Sequence, residues 1–373
     1  MFIIQNQDRF LVGRKVAREW KAMTMEEAEQ FLEEIRAHEG WKFGYLSYDF
    51  GVKWQGVEQE VMDDLVTPLL HFVAFDEVEE LEEMPQLEAG NFDGMEASPN
   101  MKKSDYMKAI ESIHQYLKNG ETYEVNFAQR FSGEFGGDPA RVFQKLHEAN
   151  PSPYACFLPF DSVTVVSNSP ERLVYGRMKD GKMILESRPI KGTMPRGKNP
   201  EEDKKMIERL LASSKNEAEL NMIVDLVRND MGRVCEVGSV EVTDHREIET
   251  YSHVHHTMSN VRGVMKDNLD WVDVLKALFP GGSITGAPKI RTMEIIDHLE
   301  PIARGIYTGS AGWISPEGEF DFNILIRTIA FQKEQGRYAY HSGGGIVIDS
   351  EAQDEYEETL HKAQALLQSL SQA

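Results

Sequence analysis

After residue 100 the spacing of apolar positions changes repeatedly, and each change marks an element. Tyr106, Ile110, Ile113 and Leu117 recur at helical spacing behind Ser104, a suitable N-cap, and Gly120 stands where that helix should stop. Tyr123, Val125 and Phe127 then alternate with Glu124, Asn126 and Ala128, and this period of two predicts a strand. Further strands are predicted at 163–166, 182–186, 309–314, 323–331 and 338–342, and helices at 200–213, 217–228, 271–278, 288–299 and 354–368. Asn199 and Pro200 supply a cap and a first-turn proline, and Thr285 with Pro288 brackets another helix start. Strands and helices follow one another without regular βαβ alternation, which predicts an α+β fold instead of a doubly wound sheet.

Composition narrows the function classes. A chain of 373 residues with 41% hydrophobic content can bury a large core, and its length permits two or three domains. A net charge of −22 argues against a nucleic-acid or anionic-membrane partner. Between Asp76 and Glu96 stand nine carboxylates and no lysine or arginine, broken by Pro85, Gly90 and Gly94. That stretch predicts a solvated linker, with a docking strip for a basic partner as the less favoured alternative. It separates an N-terminal region, 1–97, expected to pack on the same fold, from a catalytic region, 98–373. Cys156 and Cys235 have no metal or redox spacing and are expected in the core. Met1 to Phe10 lacks signal-peptide character and no 18-residue apolar stretch occurs, so the expected compartment is the cytoplasm.

The densest chemistry begins at Arg188-Pro189-Ile190-Lys191-Gly192-Thr193. It predicts a Pro/Gly-bounded turn in which Lys191 is desolvated and neutral enough to be a nucleophile; the bland alternative is a solvated loop charge. Four other segments accompany it: Ser169-Pro170-Glu171-Arg172, Asn216 to Leu220 running into Asp225 to Arg233, Phe279 to Lys289, and Gly343-Gly344-Gly345-Ile346-Val347. In these motifs the chain resembles the chorismate-utilising enzymes, most closely the aminodeoxychorismate synthase component I branch. The resemblance covers about residues 100 to 370; before residue 95 it is thin, chiefly Gly44 to Asp49.

The resemblance implies two large, mainly antiparallel sheets packed together with helices outside. It also implies amination of chorismate to 4-amino-4-deoxychorismate, for para-aminobenzoate and folate synthesis. Glu219 and Glu358 match the family's two Mg²⁺ ligands, and oxygen-only ligation suits that ion. Glu355, three residues before Glu358, shares its helix face and is expected to hold a metal-bound water. Glu171 matches the general acid that helps the 4-hydroxyl leave, a role that requires a raised pKa; its structural alternative is a salt bridge to Arg172. Lys191 matches the lysine that attacks ring carbon 2 before ammonia adds at carbon 4. Anthranilate synthases of the family generally carry alanine there. Relatives that use water carry a base lysine at the position of Glu124, where amine-transferring members more usually have glutamine, so Glu124 is a departure.

For the substrate carboxylates, Ser283 and Thr285 lie in a glycine-rich loop before a helix, where backbone N–H groups favour anions. Gly343, Gly344 and Gly345 are expected to form a second glycine-rich loop allowing close approach. Arg327 matches the guanidinium that pairs with a carboxylate, Tyr307 an aromatic hydroxyl at the same end, and His256 the histidine near the ring. A zinc reading of His253, His255 and His256 fails on spacing. The charged run Asp225 to Arg233 is expected to be a structural network. No glutaminase-like Cys-His-Glu arrangement is found, so ammonia is expected from a separate glutamine amidotransferase subunit. The competing readings are anthranilate synthase component I, against which Lys191 stands, and a non-catalytic homologue. The latter should have lost one of Glu171, Lys191, Glu219, Arg327 or Glu358, and none is lost.

Overall fold

The computed structural model describes residues 1–92, 94–251 and 254–371, and their frame is a pair of ten-stranded, antiparallel sheets. In spatial order the first contains Gly286–Ala287, Glu124–Glu134, Arg337–Ile346, Thr328–Gln332, Thr164–Ser169, Tyr154–Pro159, Phe2–Asn6, Arg9–Gly13 and Val78–Leu81, with Ser98–Pro99 beside Glu124–Glu134. The second contains Ile190–Pro195, Val254–Val264, Lys182–Arg188, Arg172–Lys179, Phe320–Asn323, Ser310–Ile314, Trp41–Leu46, Leu70–Phe75 and Arg18–Ala22, with Glu241–Thr250 beside Val254–Val264. The α+β, two-sheet expectation holds.

Through their central strands both faces of each sheet are covered, which fixes where the core lies. Phe2, Ile4, Leu158 and Val165 from the first sheet meet Phe43, Tyr45, Val73 and Trp313 from the second. Ile3 and Val166 point the other way, to a cluster with Phe143 and Leu146 of helix Pro139–Ala149 and Ala363 of helix Ala352–Ser371. Helices Met25–Ala37, Ser214–Val234 and Trp271–Leu278 cover the second sheet. Each fully buried aliphatic or phenyl side chain contributes roughly 1.5–3 kcal/mol. Cys156 and Cys235 are buried, unpaired core residues. No helix among the described residues is long and apolar enough to cross a membrane.

Several local expectations need correction. Helix Lys103–Lys118 is capped by the backbone of Lys102, and Ser104 lies inside it, its hydroxyl directed at Asp105. Part of the acidic stretch is strand Val78–Leu81, an edge strand whose Glu79 and Glu80 pair with Arg14 and Arg9. Charged side chains are tolerated there because an edge strand faces water. Residues 323–331 form two strands in different sheets, joined by a crossing at which Arg327 has φ 52°. Gly343, Gly344 and Gly345 are strand residues opposite Ala128, Phe127 and Asn126, not a loop. Lys191 also lies in a strand, opposite Thr257, with a bulge at Gly192, whose φ is 77°.

Candidate active site

Lys191, Glu171, Ser283 and Glu219 gather where the Glu124 end of the first sheet meets the Ile190–Pro195 strand of the second. Helix Ser214–Val234 packs against Ile190–Pro195, and helix Ala352–Ser371 against Arg337–Ile346. Glycine makes the approach possible: a Cβ at Gly345 would collide with Glu124 Oε1 and lie 3.3 Å from Lys191 Nζ.

At the centre Lys191 Nζ donates to Glu124 Oε1 at 2.6 Å, with side chains 13% and 1% exposed. Burial lowers the lysine's pKa, but Glu124, then Glu219 and Glu171, outweigh it and the net shift is upward. These carboxylates favour the ammonium form of the lysine, whereas the sequence leads one to expect an amine kept neutral by burial alone. The second oxygen of Glu124 is buried and has no hydrogen-bond partner.

Glu171 sits beside this pair. Its carboxyl is pushed up to about 7 by burial, against the lowering effects of the Ser283 hydrogen bond, Lys191 and the Ile190 backbone. Ser283 Oγ donates to Glu171 Oε1 at 2.7 Å. Arg172 is not its partner: it pairs with Asp321 at 2.6 Å and packs over Tyr154 and Tyr175. Thr285 Oγ1 donates to Gly281 O at 2.9 Å, so that hydroxyl braces the loop.

His256 shares a 2.8 Å hydrogen bond through Nδ1 with Thr193, while its Nε2 is buried without a partner. Burial, then the positive charge of Arg327, lowers its pKa to about 4, leaving a neutral imidazole. Burial also lowers the pKa of Arg327, with Tyr251 opposing, and Arg327 pairs with no carboxylate among the described residues. Tyr307 stacks on His341 with centroids 4.8 Å apart, beside the Arg304 guanidinium, and burial raises its hydroxyl to about 12.

Acidic groups face the glycine strand. A Cβ on Gly344 would lie 3.4 Å from Glu355 Oε2 and 3.7 Å from Glu358 Oε1. Burial raises Glu355, opposed by a 2.7 Å hydrogen bond from Ser350 and reinforced by Glu358. Burial likewise raises half-buried Glu219, with Lys191 opposing and Glu124 reinforcing. Oxygen donors of this kind suit a hard divalent cation. As they stand, Glu358 takes the Lys362 ammonium at 2.6 Å, and no trio of His, Cys, Asp or Glu among the described residues is gathered closely enough to hold a metal.

The chorismate binding enzyme family matches residues 1–368. The chain belongs to that family. Aminodeoxychorismate synthase component 1 of Bacillus subtilis (strain 168) is 39% identical over 89% of this chain and 77% of that protein. Anthranilate synthase component 1 of Aquifex aeolicus (strain VF5) is 44% identical over 73% of this chain, a match that spans 54% of its own length. Among solved structures, anthranilate synthase component I from Streptococcus pneumoniae TIGR4 superposes with a TM-score of 0.84 at 29% identity, covering 96% of this chain and 92% of that one. This chorismate binding enzyme is thus similar to relatives of two named activities.

Some site features lay outside the sequence reading. Thr193 supports His256, and Ser350 supports Glu355. His253 lies outside the described residues, while His255 bonds to Thr250 and Asp203, both at 2.9 Å. In the run Asp225 to Arg233, Asp230 forms a buried 2.5 Å pair with Lys289.

Proposed function

We propose that this chain is the chorismate-aminating component I of an aminodeoxychorismate synthase, using Mg²⁺ and ammonia from a separate glutamine amidotransferase subunit. The observation that carries this reading is the placement of Lys191 Nζ inside the site, next to Glu124 and electrostatically coupled to Glu171. A surface lysine could not serve; a buried amine aligned with a buried acid can.

On this reading Glu171, whose raised pKa keeps about half of it protonated at pH 7, gives its proton to the departing 4-hydroxyl. Lys191 forms a bond to ring carbon 2 as that oxygen leaves as water. Ammonia then bonds to carbon 4, and the carbon 2–nitrogen bond breaks to release the lysine. Arg327 donates to a substrate carboxylate, and the free Nε2 of His256 is available to a ring oxygen. Glu219 and Glu358, with Glu355 behind them, would hold Mg²⁺, which when bound would neutralise a substrate carboxylate among these acids. This requires Glu358 to exchange Lys362 for the metal.

The test is product identification after incubation with chorismate, magnesium and ammonium salt. 4-Amino-4-deoxychorismate supports the reading. Anthranilate would favour the second one, for which the similarity to anthranilate synthases speaks.

A further inference from the structure

We propose that Glu124 is the base that frees the Lys191 amine and the acid that returns its proton when the lysine leaves. The inference rests on the lysine mechanism above and adds a residue to it.

Three observations carry it. The ammonium makes its one hydrogen bond among the described residues to Glu124 Oε1, at 2.6 Å, so the proton path contains no intervening group. Glu124 Oε2 is buried and unpartnered, although a buried carboxylate ordinarily has its oxygens satisfied. Gly345 leaves the space that this carboxylate fills.

The steps balance. One proton passes from Lys191 Nζ to Glu124, leaving a neutral amine and a carboxylic acid. The Nζ lone pair forms the bond to carbon 2, the ring double bond shifts, and the carbon 4–oxygen bond breaks, with the Glu171 proton completing water. When ammonia bonds to carbon 4, the carbon 2–nitrogen pair returns to Nζ, and Glu124 hands its proton back. Glu171 regains a proton from the new ammonium or from solvent. The charged groups coupled to the lysine are Glu124, Glu219 and Glu171.

The electrostatic alternative makes the opposite prediction. If Glu124 merely held the lysine as an ammonium, Glu124→Gln would leave burial less opposed, yield more free amine at neutral pH and speed adduct formation. If Glu124 accepts the proton, the same variant slows it by about 10²-fold or more.

The experiment measures adduct formation on Lys191 with chorismate and magnesium, without ammonia, in wild type, Glu124→Gln and Glu124→Ala, with and without formate. Thermal unfolding confirms that each variant is folded; Gln preserves the shape should Ala not fold. We expect both variants to be slow and formate to restore Glu124→Ala at least tenfold. A Glu124→Gln rate within about twofold of wild type, or above it, overturns the proposal, as does Glu124→Ala that is folded, slow and indifferent to formate. Absence of any adduct in wild type instead refutes the lysine mechanism itself.

Discussion

Two buried ion pairs are served by one short stretch of strand, and they are built in opposite ways. Arg304 gives five hydrogen bonds, two to Glu300 at 2.6 and 2.8 Å and others to Ile284 O, Thr308 Oγ1 and Asn126 O. Glu300 Oε1 also accepts from Ala128 N at 2.9 Å. Two residues before Asn126, Glu124 holds Lys191 by a single bond and leaves its other oxygen unpartnered. The first pair is saturated and lacks a proton free to move without breaking a network. The second is under-satisfied, which costs stability but leaves room for chemistry. Burial is common to both; saturation separates the structural pair from the one proposed to react.

The comparison can be broken most severely at Glu171. Glu171→Gln keeps the shape and removes the transferable proton, so turnover should fall by about 10²–10⁴-fold with folding retained; steady-state kinetics at saturating chorismate checks it. Removing half of the saturated pair should act on folding instead. Glu300→Ala leaves a buried guanidinium unpaired and should lower stability by about 3–5 kcal/mol, read from the denaturant midpoint.

A pH series sharpens the contrast. The Glu171 carboxyl is raised by burial from 4.5 to about 7, so the folded state holds a proton that the unfolded state has lost. Its contribution therefore declines as pH rises from 4.5 to 7 and is flat above, on the order of 3 kcal/mol in total. Glu171→Gln should gain on wild type across that window, and equal pH slopes of unfolding free energy would contradict it. The smallest effect is expected at Gly345. Gly345→Ala drives a methyl into Glu124, costing about 1–3 kcal/mol of stability. Its activity should fall with the Glu124–Lys191 pair displaced, as side-by-side melting and rate measurements would show.

Helices were the most legible part of the sequence: Trp271–Leu278 has its predicted limits, and Asn199 caps its helix through Glu202 N at 2.9 Å. One apolar face against solvent writes that pattern plainly. Strands covered on both sides do not alternate; Leu70–Phe75 is buried at every residue. Period also carries no information on which sheet a strand joins, so the pattern predicts one continuous strand across Arg327, where the chain crosses between sheets. Motifs single out Lys191 and Glu171, but not the neighbours that set the charge of the lysine. The first of these is Glu124, which lies 67 residues away and meets Lys191 only because two sheets close on each other.

The most direct test of the central claim is the mass of the peptide containing Lys191 after chorismate and magnesium are supplied without ammonia. The account predicts a gain equal to chorismate less one water, lost again when ammonium is added as 4-amino-4-deoxychorismate appears, and absent in Lys191→Ala. An unmodified Lys191 peptide in an enzyme that turns over normally once ammonium is present, or a Lys191→Ala variant that makes the same product at the wild-type rate, would contradict it.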